Sequence, residues 1–289
     1  MNEAAQRVRF IAEALPYIRD FRGKRVVIKY GGHAMIDPEL KRMFARQIVL
    51  LQYVGLQVVV VHGGGPQISS VLKQMGVESS FVAGRRVTDA RTMDVVEMVL
   101  AGGVNKEIVN LLNLEGGRAV GLSGKDGGLI KARKLFYDQD GEILDIGQVG
   151  EIAEVNPQVI ETLEHDGFIA VVAPLGVDDE GTSYNINADT AAAQMAAKLK
   201  AEKLIILTDE SGVLDKDKQL ISSMDVRDVK HLIQDGVVTG GMIPKLECCV
   251  DALNDGVGKA HILDGRVPYS IFLELMTDSG IGTQIIKGI

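Results

Sequence analysis

With 289 residues, 46% hydrophobic and 24% charged, and with 33 Gly and 7 Pro, the chain has the composition of a folded enzyme and not of a disordered or fibrous protein, and it is long enough for one large α/β unit or two lobes. A formal net charge of -8 argues against broad binding to nucleic acid or to an anionic membrane, either of which needs a basic face. Apolar runs such as Val58 to Val61 and Leu204 to Leu207 are too short to cross a bilayer, and Arg9, Glu13 and Pro16 interrupt any secretory-signal core, so no membrane span and a cytoplasmic location are expected.

The first twenty residues place Val8, Ile11, Ala12, Leu15 and Ile18 on one helical face. That face either packs on its own domain or mates with its copy in another subunit. Strand-like runs follow at RVVIKY from Arg25, QVVVVH from Gln57, RAVGL from Arg118, FIAVVA from Phe168 and KLIILT from Lys203. Helical periodicity falls between and after them, over 37–53, 66–74, 92–114, 156–166, 188–199, 226–235 and 241–254. Several strands are apolar without alternation, the mark of strands covered on both faces, so the expected class is α/β with a largely parallel sheet. The polar stretch PLGVDDEGTSY suggests a boundary between 173 and 181. The expected organisation is therefore an amino-terminal helix over 1–22, one lobe over 23–175 and a second over 176–289, the sheet running through both.

Lys29 ends the first strand and is followed by Tyr30, Gly31 and Gly32, which sets an ammonium beside a loop that a ligand can approach closely. The second strand ends at His62 and runs into Gly63, Gly64, Gly65 and Pro66, a turn with free N–H groups at a helix start. Glycine turns also end strands for steric reasons alone. Two of them at strand ends, one with a lysine, favour anion binding at the carboxyl edge of a parallel sheet. GxxxxGK[ST] and GxGxxG are both absent, which disfavours a P-loop enzyme or a nicotinamide dehydrogenase.

GRRVTD offers Arg85 and Arg86, one facing solvent and one able to fork a carboxylate. In YNINAD, Asn185, Asn187 and Asp189 alternate and share a face if strand geometry holds; a turn with Asp189 as helix N-cap is the competing reading. TDESGV from Thr208 closes a strand, and TGGMIPK delivers Lys245 behind a glycine pair. The adjacent Cys248 and Cys249 read as reduced core residues, a catalytic thiol being the alternative without a supporting signature. The five histidines form no HExxH or HxH pairing, so no protein-held metal is expected.

Taken in order, KYGG at Lys29, VVHGGGPQ at Val60, RVT at Arg86, YNINAD at Tyr184, TDESGV at Thr208 and GGMIPK at Gly240 resemble the amino acid kinase family over essentially the whole chain. The resemblance implies a three-layer α/β/α sandwich with an open, mostly parallel central sheet, the acyl substrate on 23–175 and ATP on 176–289. It implies ATP-dependent phosphorylation of the γ-carboxylate of N-acetyl-L-glutamate, within L-arginine biosynthesis, with Mg2+ carried by the nucleotide.

By the same resemblance, Lys29 and Lys245 stabilise the transferring phosphoryl group and Asp189 positions them. Gly64 and Gly65 meet substrate and phosphoryl group, while Arg86 and Asn185 bind the acetylated acid. Gly31, Gly32, Thr208, Asp209, Ser211, Gly212, Gly240 and Gly241 shape the nucleotide and phosphate site. An amino-terminal helix is similar to that of the arginine-inhibited branch, which implies a hexamer built as a trimer of dimers, with Tyr17, His261 and Glu274 contacting an arginine effector. The chemistry agrees: a γ-carboxylate of ordinary pKa about 4.3 is ionised near neutrality and needs no general base, only relief of charge repulsion and in-line placement. Rival expectations are an aspartate or glutamate kinase of the same fold, whose extra regulatory or RNA-binding domains are not expected here, and a non-catalytic sensor, which the joint presence of Lys29, Asp189 and Lys245 disfavours.

Overall fold

Unbroken apolar runs become the middle of one sheet in the computed structural model, which describes residues 3–139, 141–277 and 280–288. The first half is built from α1 (Glu3–Phe21), β1 (Arg25–Tyr30), α2 (Pro38–Tyr53), β2 (Gln57–His62), α3 (Gly65–Gln74), β3 (Phe81–Val82), β4 (Arg85–Arg86), α4 (Ala90–Glu97), α5 (Asn105–Leu114) and β5 (Ala119–Ser123). Next come β6 (Ile130–Gln139), β7 (Glu142–Val155), α6 (Gln158–His165), β8 (Ile169–Ala173), β9 (Leu175–Val177), β10 (Ser183–Asn185) and α7 (Ala188–Lys198). The chain closes with β11 (Lys203–Thr208), β12 (Ser223–Asp225), α8 (Val226–Gln234), α9 (Met242–Asn254), β13 (Lys259–Asp264), α10 (Ser270–Met276) and β14 (Thr283–Ile286).

Among the described residues eight strands form the main sheet in the order β12-β14-β13-β11-β1-β2-β8-β5. Neighbours from β13 to β5 are all parallel, β14 runs antiparallel to β13, and β12 lies parallel to β14. The register Val26↔Lys203 to Lys29↔Ile206 joins β1 to β11, so the sheet is continuous across the sequence boundary at 175/176. Successive side chains then supply two cores. Val27, Val59, Val61, Val172 and Ile206 face α7 and α9, while Val26, Ile28, Val60, Val171 and Ile205 face α2, α5 and α10. The result is the open, mostly parallel, three-layer sandwich.

Local chemistry sets the helix starts. Asp37 caps α2 by accepting from the N–H groups of Glu39 and Leu40, with Pro38 at its first position. The helical pattern over 92–114 resolves into α4, a π-helical stretch over Met98–Val104 and α5. The periodicity hides this break because a π turn inserts a residue without ending the helix. The long β6–β7 hairpin carries register shifts and closes with β9 and β10 into a small barrel of its own. Its strands are half exposed and polar, so they offer none of the continuous apolar signal that marks the main sheet.

The amino-terminal helix divides between the two readings given above. Tyr17, Ile18 and Phe21 pack against the chain's own core, whereas Leu15 is exposed. The side chains of Val8 and Ile11 lie outside the described residues. No described helix is long and apolar enough to cross a membrane.

Candidate active site

Two lysines from distant parts of the chain meet one carboxylate. Lys29, at the carboxyl end of β1, places Nζ 3.0 Å from Asp189 Oδ1, and Lys245, in the first turn of α9, places Nζ 2.7 Å from Oδ2. The first contact is an ion pair off hydrogen-bond direction; the second is also a hydrogen bond. Asp189 is carried by α7, whose Ala191, Ala192, Ala193 and Ala196 are buried, and these small side chains let the helix lie close to the sheet and to α9. Burial pushes the Asp189 carboxyl upward, but the two ammonium groups outweigh it and hold the carboxyl below the usual range.

Asn187, and not Asp189, caps α7, accepting from the N–H groups of Asp189 and Thr190 at 2.9 and 3.1 Å. The alternation expected through YNINAD therefore ends at Asn185, the last residue of β10, and Asp189 is freed for the lysines.

The glycines fit around this centre. A side chain at Gly31 would collide with the Lys29 ammonium. Gly32 has φ +74, and a Cβ there would come within 2.5 Å of Asp209 Oδ1, which already accepts from the His33 N–H at 2.7 Å. At Gly64 a Cβ would run into a Leu100 methyl from the π-helical stretch. Gly65 opens α3 with free space where a Cβ would stand.

Two cavities lie near this centre, one with Lys245 in its wall and one with Asn187 and Ala188, the residues just before Asp189. The larger, about 560 Å³, is walled by Thr208, Asp209, Gly212, Gly241, Met242 and Lys245, with Lys218 and Glu210 at its lining. Four of the expected nucleotide residues thus converge there. Ser211 and Gly240 stand outside its wall, as do Gly31 and Gly32, although the next residue, His33, donates its N–H to Asp209 of that wall. The smaller, about 170 Å³, is walled by Gly64, Gly65, Arg86, Asn185, Asn187 and Ala188, so its residues come from both sides of the 175/176 boundary.

Arg86 is buried, whereas Arg85 is partly exposed. The Arg86 guanidinium donates to Ser79 Oγ at 2.5 Å, Ser69 Oγ at 2.7 Å and the Gly65 carbonyl at 3.1 Å, and it stacks over the Phe81 ring. Burial lowers its pKa, yet a guanidinium stays charged at any ordinary pH. Asn185 Nδ2 reaches Thr88 Oγ1 at 3.4 Å. Motif reading missed Ser69, Ser79 and Phe81, since no spacing rule ties a serine to an arginine 17 residues away.

His261 and Glu274 pair at 2.8 Å outside both cavities, each buried beside Lys203. Burial lowers the His261 pKa, and its Nε2 has no partner. Lys203 is pushed down to about 8 by burial first and by Lys259 second, and it sits over the Phe21 ring of α1. Tyr17 lies one turn earlier on the same helix. Both cysteines are free thiols, and burial pushes Cys248 up to about 11, against a nucleophilic role.

The pattern of the Amino acid kinase family matches residues 24–264. An acetylglutamate kinase from Solidesulfovibrio magneticus is 58% identical over 99% of this chain and 98% of its own length. One from Geotalea uraniireducens is 57% identical over 99% of this chain and all of its own length. Among solved structures, N-acetylglutamate synthase from Neisseria gonorrhoeae, complexed with coenzyme A and N-acetyl-glutamate, superposes with a TM-score of 0.87 at 28% identity over 98% of this chain, which spans 64% of that longer one. Carbamate kinase from Giardia lamblia bound to AMP-PNP shares the fold, with a TM-score of 0.65 at 19% identity over 92% of this chain and 99% of its own.

Proposed function

Because the chain belongs to the amino acid kinase family, we propose that it transfers the γ-phosphoryl group of ATP to the side-chain carboxylate of N-acetyl-L-glutamate, giving an acyl phosphate and ADP. The observation that carries this reading is the Lys29–Asp189–Lys245 cluster, with Lys245 in the wall of the larger cavity and Ala188, the chain neighbour of Asp189, in the wall of the smaller. The larger cavity takes the nucleotide, and the smaller, with Arg86 and Asn185 in its wall, takes the acid. Relatives named acetylglutamate kinase, at 57–58% identity over nearly the full chain, support the choice of acid.

In this mechanism the carboxylate nucleophile arrives ionised, and the chain supplies positive charge and position. Lys29 and Lys245 face the charge that builds on the transferring group, each such donor contributing about 3 kcal/mol to the transition state. Asp189 keeps both ammonium groups aimed, and the N–H groups of Gly64 and Gly65 add neutral donors. Mg2+ is proposed to arrive with the nucleotide, as part of that substrate.

The finer proposal is feedback by L-arginine, the end product of the biosynthetic route to which this acyl phosphate would belong, at His261, Glu274 and Tyr17. It is supported by the unpartnered Nε2 of buried His261 and by the fold relation to a Neisseria gonorrhoeae N-acetylglutamate synthase crystallised with L-arginine, 26% identical with a TM-score of 0.83. On this reading α1 also joins copies of the chain into a hexamer.

The test is ATP-dependent acyl phosphate formation trapped with hydroxylamine, on N-acetyl-L-glutamate against L-glutamate and L-aspartate. Product with the acetylated acid alone supports the proposal. Product with a free amino acid alone moves the substrate to a sister kinase, and no product with any of them sinks the kinase reading.

A further inference from the structure

Two hydrogen bonds fix the peptide planes on either side of Gly63. Its N–H donates to the Tyr30 carbonyl at 2.8 Å, and its carbonyl lies 2.8 Å from His62 Nδ1. Since the carbonyl only accepts, Nδ1 carries the proton. In a planar trans peptide the C=O and the following N–H point in opposite directions. With the Gly63 carbonyl turned inward to the wholly buried His62 ring, the Gly64 N–H is turned outward, at a residue that walls the smaller cavity. Among the described residues that N–H has no acceptor.

The other ring nitrogen is fixed as well. His62 Nε2 lies 3.1 Å from Asn105 Nδ2, which also reaches the carbonyls of Leu122 and Val171 at 3.2 and 2.9 Å. The Lys106 ammonium donates to Asn105 Oδ1 at 3.1 Å, so the amide nitrogen is the end that faces the ring. Gly121 leaves the space: a Cβ there would overlap Asn105 Oδ1. Asn105 follows directly on the π-helical stretch whose Leu100 and Val104 press against Gly64. Burial, chiefly, holds the ring neutral, with a pKa pushed down to about 4.

We propose that His62 is a positioning residue for phosphoryl transfer: its Nδ1–H locks the Gly63–Gly64 peptide so that the Gly64 N–H faces the transferring group, and Asn105 selects the tautomer that does so. If the peptide turned over, the Gly63 carbonyl would point its negative end at an anionic reaction. The role rests on the phosphoryl-transfer reading above.

The experiment compares His62→Leu, which removes the donor, with His62→Asn, whose Nδ2 stands where Nδ1 stood. In His62→Leu, kcat is expected to fall about 100-fold with KM for ATP and N-acetyl-L-glutamate within about twofold, and His62→Asn to recover most of the loss. Equal losses in the two variants, or a His62→Leu kcat within about threefold of the parent, overturn the proposal while leaving the kinase reading standing. A parent enzyme that forms no acyl phosphate removes both. Nitrogen-15 NMR of histidine-labelled parent protein needs no variant: a neutral His62 protonated at Nδ1 is expected near pH 7, and a proton on Nε2 overturns the assignment.

Discussion

Asp189 and the two lysines it holds are a buried charge triad, so each member is worth more as part of the set than alone. Lys29→Ala and Lys245→Ala are each expected to lower kcat by about 100- to 1,000-fold with smaller changes in KM, read in the hydroxylamine assay. Asp189→Asn leaves two ammonium groups facing each other, and is expected to lower kcat by at least about 100-fold through their displacement. The pH dependence of stability follows from two groups of opposite kind. The folded His62, held neutral to about 4 against an ordinary 6.5, binds fewer protons than the unfolded chain between those values. Its contribution is complete above 6.5 and lost as pH falls toward 4, at most about 3 kcal/mol. Asp189, depressed below the usual carboxylate value, contributes above that value and loses it only as pH falls through its lower folded pKa. Melting temperature is therefore expected to drop across pH 6.5 to 4 in the parent and to flatten in His62→Leu; an unchanged slope would count against the buried neutral ring. Of these residues a strand end and a glycine pair mark Lys29, and a glycine pair precedes Lys245, whereas Asp189 stands out only through the resemblance of YNINAD to the family, since spacing alone left it between an alternating row and a helix cap. The sequence does not display the His62–Asn105 contact, which joins residues 43 apart and depends on a glycine, Gly121, on a third element.

At the scale of elements, α7 matters most, because an alanine-rich helix presses Asp189 between sheet and α9. Ala192→Leu adds volume where no space exists, and is expected to cost about 1–3 kcal/mol, seen as a lower urea midpoint. If α7 is displaced by it, kcat falls as well, since Asp189 moves with the helix. The parallel strands were legible because burial on both faces erases alternation. The π-helical stretch was not, because residue spacing alone does not tell a π turn from an α turn, and the Gly102–Gly103 pair within it reads equally well as a weak α-helix. Asn187 was likewise read as one of an alternating row, although its rank among cap residues equals that of aspartate.

In the whole molecule, one cavity has Lys245 in its wall and the other has Ala188, next to Asp189, and on the proposed reaction ligands in the two should stabilise the chain together. A non-hydrolysable ATP analogue with N-acetyl-L-glutamate is expected to raise the melting temperature by more than the sum of the two separate shifts; simple additivity would argue that the cavities are independent. Deletion of residues 1–20 is expected to shrink the assembly and abolish arginine sensitivity, while Tyr17 and Ile18 leave an apolar face of the core uncovered. An unchanged size by light scattering, with arginine sensitivity kept, would remove that role from α1.

The charge count at the centre has a consequence of its own. Two ammonium groups against one carboxylate leave a surplus of one positive charge, held in a pocket largely closed to water. A loose transition state for phosphoryl transfer passes through a flat, metaphosphate-like species bearing about one negative charge. The resting site is thus matched in sign and size to a planar monoanion and not to the tetrahedral groups on either side of the reaction. Nitrate, which has that shape and charge, should inhibit strongly only when MgADP and the acid are both bound, turning the triad into a detector for the instant it was built to hold.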